Sequence, residues 1–343
     1  MSGGISGNPE MHPCLRVLER TIADNGEALE RVACPLCGET NATVALEARD
    51  RLYGTPNRYP VVRCEGCSLA YVNPRPTPEA LGAHYPNDYH CYRTIDSYPK
   101  WLQPMARQDV IDQTKRRLKN IERVLGPIQP DMQLLDVGCG QNALLHFIKE
   151  ERGATGLGIE MKAETAARVR EQLGMPIVEG TLLDAGLEAA RFDLVVMLNY
   201  LEHEPDPLRA LRESRRVLKP GGHVAIEIPD PEGLPARLFG KHWVNLDVPR
   251  HLVFFDRNTI ERALQQAGFE LVSYRRFALP AYVGLNFLLT FGAHNIMRYW
   301  NTASATGYVL GLPFLPAMPW LPEFSFVVAK AIETEPKPHA ESR

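Results

Sequence analysis

The stretch Leu134-Leu135-Asp136-Val137-Gly138-Cys139-Gly140-Gln141-Asn142-Ala143 decides the fold. An apolar run ends in an acid, passes two closely spaced glycines and opens a helical pattern. That is a strand feeding a helix through a turn whose backbone can approach a ligand. Asn142 suits the helix N-cap, and the free N–H groups behind it face an anionic group such as a carboxylate or phosphate. Outward from this point, short apolar runs alternate with helical patterns. Strands are expected at Gln133–Val137, Gly156–Glu160, Ile177–Glu179, Asp193–Leu198 and His223–Ile228, with helices at Ala143–Arg152, Ala163–Leu173 and Pro207–Leu218 between them. Before them, Val110, Ile111, Leu118, Ile121, Val124 and Leu125 recur at helical spacing until Gly126-Pro127. After them come a helix (Thr259–Ala267), a strand (Glu270–Arg276) and a last strand (Phe324–Ala331). Such alternation implies an α/β, doubly wound parallel sheet covered on both faces.

Taken alone, the loop is ambiguous, because Gly138-x-Gly140-x-x-Ala143 also fits a dinucleotide fingerprint. Asp136 is a poor neighbour for a pyrophosphate and a good one for an ammonium group. Glu160, twenty residues past Gly140, ends the second strand, where an acid can accept hydrogen bonds from both ribose hydroxyls. Asp184 lies near the end of the third strand, within reach of an adenine amino group. Three acids and a helix N-terminus suit a cationic nucleoside that carries an amino acid, S-adenosylmethionine. Asn199, in Leu198-Asn199-Tyr200-Leu201-Glu202-His203 after the fourth strand, should face the cofactor's methyl. His203 and His251 are the candidate bases, since a histidine titrates near neutrality. Each could equally order a loop. Arg250 could bind an acidic acceptor or be an ordinary paired arginine, and Trp243 could wall the acceptor or pack the core.

The region 106–331 resembles the class I S-adenosylmethionine-dependent methyltransferase family. The resemblance rests on Asp136-Val137-Gly138-Cys139-Gly140, Phe192-Asp193-Leu194-Val195-Val196, Leu201-Glu202-His203 and Val217-Leu218-Lys219-Pro220-Gly221-Gly222. Pro249-Arg250-His251-Leu252-Val253-Phe254-Phe255, with Ala267-Gly268-Phe269 after a helix, is similar to one bacterial branch. That branch carries an N-terminal zinc-ribbon-like segment ending in a motif similar to Cys64-x2-Cys67…Tyr71-Val72-Asn73-Pro74-Arg75-Pro76. The resemblance implies a Rossmann-like seven-stranded sheet with an antiparallel last strand, S-adenosylmethionine as cofactor and methyl transfer. Asn142 departs from it, standing where the family often has a third glycine. Some quinone-precursor O-methyltransferases resemble the chain near strand four and bind a divalent metal through Glu-x-x-Glu-His. Here Asn199-Tyr200-Leu201-Glu202-His203 lacks the first acid, so no catalytic metal is expected.

Cys34-Pro35-Leu36-Cys37 and Cys64-Glu65-Gly66-Cys67 are two C-x2-C pairs separated by 26 residues. Such knuckles can present four thiolates tetrahedrally to Zn²⁺, in a closed and therefore structural site. Gly38 and Gly66 suit the turns. A redox pair or unrelated buried cysteines are the alternatives. Cys14, Cys91 and Cys139 stand outside the set.

The chain has 343 residues, 38 Lys+Arg against 41 Asp+Glu, and 28 prolines. A net charge of -3 supplies no global basic field, which counts against nucleic acid. No secretory pattern opens the sequence, so a cytoplasmic chain is expected. Residues 1–30 are read as a flexible extension, with one or two short helices possible over 14–32. The zinc ribbon and its connection cover 31–105, the methyltransferase domain 106–332 and a flexible tail 333–343. Between Phe277 and Pro322 the only charged residue is Arg298, and Pro313, Pro316, Pro319 and Pro322 repeat at the period of a polyproline II helix. This 277–322 insertion reads as a lid over the acceptor pocket, a patch touching the membrane, or a buried insertion. The expected partner is a small or lipophilic methyl acceptor: a sugar, a quinone-like molecule or another secondary metabolite. Rival readings are an RNA methyltransferase using the ribbon, a non-catalytic scaffold and a dehydrogenase.

Overall fold

The computed structural model describes residues 16–332 apart from 24, 87–88, 90–93, 142, 294 and 297–299. Asn142, and with it the expected N-cap, lies outside the described residues, as do 1–15, 333–343, Cys14 and Cys91.

The N-terminal part is β-structure. Strands β1 (Val17–Ile22), β2 (Ala28–Val32), β3 (Ala42–Arg49), β4 (Arg58–Cys64), β5 (Ala70–Val72) and β6 (Arg75–Pro76) precede the short helix α1 (Pro78–Leu81). Short helices are expected within 14–32 and a flexible extension up to residue 30, but the described part, Val17–Val32, is the paired β1–β2 hairpin. Its turn holds Asn25-Gly26, with Gly26 at φ +84° and its N–H donating to the Ala23 carbonyl at 2.8 Å. Positive φ at that point stops any helix and suits a hairpin turn.

The second part runs α2 (Gln103–Leu125), β7 (Gln133–Val137), α3 (Ala143–Arg152), β8 (Thr155–Glu160), α4 (Ala163–Leu173), β9 (Ile177–Glu179), β10 (Phe192–Leu198), α5 (Pro207–Val217) and β11 (Leu218–Pro229). It continues with α6 (Leu234–Phe239), β12 (Val253–Phe254), α7 (Arg257–Gln266), β13 (Phe269–Phe277), α8 (Pro280–Thr290), α9 (Trp300–Gly311) and β14 (Phe324–Ala331). Seven strands form one sheet in the order β13-β14-β11-β10-β7-β8-β9, with β14 antiparallel to both neighbours. Successive residues point to opposite faces, and both faces are apolar. Leu135, Val195 and Met197 pack with α5 and α7, while Leu134, Leu194 and Val196 pack with α2, α3 and α4. Strands buried on both faces and flanked by helices make the doubly wound architecture. The chain reverses its direction of growth between β7 and β10. Ligands of such sheets sit at this switch, outside the carboxyl ends of the strands. Asp136 and Asn199 both lie there.

Two features extend beyond the expected ribbon-plus-sheet plan. The ribbon sheet has the order β12-β5-β4-β3, so its fourth strand comes from the second part. Val253 pairs with Tyr71, and the ribbon residues Cys34, Leu36, Cys64 and Tyr71 share one apolar core with the face of the large sheet covered by α5 and α7. The 277–322 segment is a helical hairpin, α8 and α9, followed by a 3-10 helix over Leu312–Trp320 in place of polyproline II. Both forms repeat every three residues, so proline spacing alone does not separate them. Among the described residues no helix is long and apolar enough to cross a membrane.

Candidate functional site

The glycine loop has the conformation that its residues allow. Gly138 (φ +68°) and Gly140 (φ +51°) are left-handed, and a Cβ on Gly138 would stand 2.7 Å from the Tyr200 ring. The Gly140 N–H donates to Glu160 Oε2 at 3.0 Å and the Lys162 N–H to Glu160 Oε1 at 2.8 Å. Glu160 is therefore fixed at the end of β8 with lone pairs left over. Burial pushes the Asp136 carboxyl up to about 7, with Glu160 adding to the rise and Arg117 opposing it. Asp184 is exposed and accepts from the Thr181 hydroxyl at 2.6 Å. Asn199 leaves β10 at φ +50°, its N–H donating to the Glu227 carbonyl at 2.8 Å and its Oδ1 buried without a partner. Thus Asp136, Gly138, Gly140, Glu160 and Asn199 converge at the strand ends, while Asp184 stands at the rim.

The two candidate bases are brought together. His203 and His251 meet edge to face with ring centroids 4.6 Å apart. His203 Nδ1 lies 3.1 Å from the Arg250 carbonyl and 3.0 Å from the Tyr85 hydroxyl, and His251 Nδ1 lies 2.7 Å from the Asn245 carbonyl. A carbonyl only accepts, so both Nδ1 atoms carry the proton and both Nε2 atoms keep a lone pair. Burial lowers His203 well below the usual histidine range, with His251 adding to the fall, and drives His251 down to about 3. Both rings are neutral at pH 7.

Several contributors were not singled out as site residues from sequence. Tyr85, in the connection after α1, reaches His203. Tyr200 covers Gly138 and donates to Glu204 Oε2 at 2.6 Å. Glu202 is 1% exposed and neither carboxyl oxygen has a partner, and burial raises it well above the carboxylate range. One donor atom each from Glu202, His203 and His251 falls within 4.8 Å of the others, a set that could hold a cation. Glu227 on β11 is gripped by Arg117 Nη2 and by Arg116 at 3.2 Å, both from α2. No periodicity marks these residues, and the Tyr85–His203 and Arg117–Glu227 contacts join segments more than a hundred positions apart.

Two other candidates are explained by packing. Arg250 is 0% exposed and binds Asp50 through both Nη1 (3.0 Å) and Nη2 (2.7 Å) and Asp247 through Nε (2.9 Å). It ties the ribbon side to the second part, and this saturation leaves it nothing for an acidic acceptor. Trp243 is buried and donates to Glu323 Oε2 at 2.6 Å, which locks it into the core rather than a pocket wall.

The four ribbon cysteines gather as their spacing suggests. Cys34 and Cys67 sulfurs are 3.5 Å apart, Cys37 and Cys64 sulfurs 3.4 Å, and all four lie within 4.8 Å of one another. A tetrahedron with Zn–S near ~2.3 Å has edges of about 3.8 Å, so the cluster fits zinc with modest expansion. The left-handed knuckle positions are Gly38 (φ +76°) and Ser68 (φ +65°) rather than Gly66.

A family profile described as "Methyltransferase domain" matches residues 110–274, and the cysteine cluster lies outside it. The "Ubiquinone biosynthesis O-methyltransferase" of Leptothrix cholodnii is 28% identical over 214 residues, covering 55% of this chain and 90% of that protein. The same-named proteins of Alkalilimnicola ehrlichii (34% identical over 134 residues) and Vibrio parahaemolyticus (38% over 98) are matched over 36% and 27% of this chain. In those two cases the match spans only 53% and 41% of the relative's own length. A putative sarcosine dimethylglycine methyltransferase from Galdieria sulphuraria shares the fold, with a TM-score of 0.50 at 14% identity over 74% of this chain and 97% of that one. Residues 110–274 thus match a methyltransferase domain, and the sheet order and glycine loop around them are similar to those of class I S-adenosylmethionine-dependent methyltransferases.

Proposed function

We propose that the chain transfers the sulfonium methyl of S-adenosylmethionine to a small lipophilic acceptor, for which a quinone-like phenol is the first candidate. A sugar or another secondary metabolite fits the same chemistry. The observation that carries the reading is the pair of neutral histidines, partly buried His203 after β10 and buried His251, in edge-to-face contact and each with Nδ1–H tied to a carbonyl. An Nε2 lone pair held in this way can take a proton from an acceptor hydroxyl as the methyl arrives. Alignment of acceptor and sulfonium supplies much of the remaining rate. In this reading Asp136 and the Gly138–Gly140 turn hold the cofactor's amino-acid end, Glu160 the ribose and Asp184 the adenine. The relatives named for ubiquinone O-methylation support the lipophilic class. Cys34, Cys37, Cys64 and Cys67 hold a structural Zn²⁺. We place the protein in the cytoplasm, with the 277–322 segment touching a membrane from which a lipophilic acceptor can enter.

One observation favours a second reading. The partnerless Glu202 carboxyl, with His203 and His251, could hold a divalent cation that polarises the acceptor oxygen. Metal analysis separates the two: one zinc per chain supports histidine acting alone, and a second metal that leaves in Glu202→Gln supports the cation. The reaction itself is tested by a panel of phenols, sugars and tRNA with methyl-labelled S-adenosylmethionine. Label in the phenol fraction supports the proposal, and label in RNA overturns it.

A further inference from the structure

The membrane contact proposed above can be assigned to a defined surface and a lipid charge. Helices α8 and α9 pack backbone to backbone. A Cβ on Gly284 would fall 1.8 Å from the Gly307 carbonyl oxygen, and one on Gly311 would fall 2.0 Å from the Pro280 carbonyl oxygen. The inner helix α8 buries Val283, Leu285 and Leu289. The outer layer, α9 and the 3-10 helix, turns Val309, Leu312, Leu315 and Trp320 outward, with Trp320 70% exposed. Helix α6 continues this surface through a chain of ring contacts, Phe239 to Phe287 (5.2 Å) and Phe287 to Phe314 (5.3 Å), and exposes Leu238 (67%). Large apolar side chains grouped in this way mark an interaction site on a folded protein.

Charge identifies the occupant. Leu289, in the last turn of α8, lines an open cleft with Arg49, Arg51 and Lys241. Asp247, the acid in that lining, is engaged by Arg250. Arg51 donates from Nη1 to the Leu289 carbonyl at 3.1 Å, and it is lowered by burial and by the neighbouring Arg49, which places two like charges side by side at the cleft. Arg237 and Lys241, at and just after the end of α6, are exposed as well. Helices of 11 and 12 residues are about 17–18 Å long, well short of a ~30 Å hydrocarbon core. Helices this short can lie along a bilayer surface but do not span its core.

We infer that the α6–α8–α9 surface with the 3-10 helix docks on an anionic phospholipid bilayer, apolar side chains in the interface and Arg49, Arg51 and Lys241 among the headgroups. The inference rests on the membrane reading given above. Its test does not need methyl transfer, so its failure leaves the enzyme reading standing.

The full chain, with S-adenosylmethionine bound, is sedimented with phosphatidylcholine vesicles and with vesicles carrying about 30 mol% phosphatidylglycerol. Binding should be at least tenfold stronger to the anionic vesicles and should weaken as salt is raised. Lys241→Glu with Arg49→Glu should abolish the anionic preference, each cation being worth about fivefold. Leu315→Glu with Trp320→Glu should lower binding to both vesicle types by tenfold or more. Cofactor affinity and the melting temperature, measured alongside, should stay at wild-type values. Wild-type protein that sediments with neither vesicle overturns the inference. So does a stable dimer that ignores vesicles and that Trp320→Glu dissolves, since the face would then belong to a second copy.

Discussion

Asp136→Asn is the most informative single substitution in the cofactor site, because it changes both the strength of binding and its pH dependence. Asp136 is 3% exposed, and its carboxyl sits at about 7 because burial penalises the charge. In the proposed site the cofactor's ammonium pairs with the Asp136 carboxylate, so binding there must expel a proton whenever the pH is below that value. By linkage the apparent affinity then falls up to tenfold per pH unit below about 7, or roughly 25-fold between pH 7.5 and 5.5. The sign for the cofactor-free chain is opposite. A folded value raised above the unfolded one contributes stability that is full below about 4 and is lost as pH rises through about 7. In Asp136→Asn the charge-assisted hydrogen bond disappears, costing about 1.5–3 kcal/mol or roughly 10–150-fold in affinity at pH 7.5. The affinity should also become flat between pH 5.5 and 7.5. Calorimetry in two buffers of different ionisation enthalpy measures affinity and proton release together. Wild-type affinity that does not vary over this range, with no proton released, would refute the assignment of Asp136 to the ammonium.

Three further outcomes follow from the packing. Arg250→Met leaves Asp50 and Asp247 buried without their cation, which should cost about 3–5 kcal/mol in a melting experiment and be largely recovered by adding Asp50→Asn and Asp247→Asn. Gly138→Ala should lose more than Gly174→Ala: both glycines have positive φ, but the new Cβ meets Tyr200 at 2.7 Å in the first and nothing within 4 Å in the second. The shared backbone strain is ~1–2 kcal/mol, so any excess, together with lost cofactor affinity, reports the contact. Cys34→Ser with Cys64→Ser should lose one zinc by metal analysis and speed hydrogen exchange at Val72 and Leu252, whose N–H groups donate to Leu252 and Glu202 carbonyls. Unchanged exchange there would mean that the cluster does not brace the second part.

Legibility from sequence followed the range of the contacts. The sheet could be read because its central strands bury both faces and carry their own apolar runs, and because Asp136 to Gly140 and the twenty-residue step to Glu160 are local spacings. The cysteine knuckles are equally local. Strand β12 was missed because it is two residues long and exists only by pairing with β5, about 180 positions earlier. Arg250 was ambiguous for the same reason: its partner Asp50 is 200 positions away. Over 17–32 the deciding local signal is Asn25-Gly26, a hairpin turn rather than a helix breaker between two helices. Tyr85 lies in the connection that follows the ribbon, and nothing local links it to His203, 118 positions later.

Methyl transfer from labelled S-adenosylmethionine to a panel of lipophilic phenols, by wild-type protein and His203→Gln side by side, tests the central claim most directly. The account predicts label in at least one phenol and a loss of about 10²–10⁴-fold in kcat for His203→Gln, with cofactor affinity unchanged. A wild-type chain that fails to bind S-adenosylmethionine, or that transfers label at a rate His203→Gln leaves untouched, would contradict it.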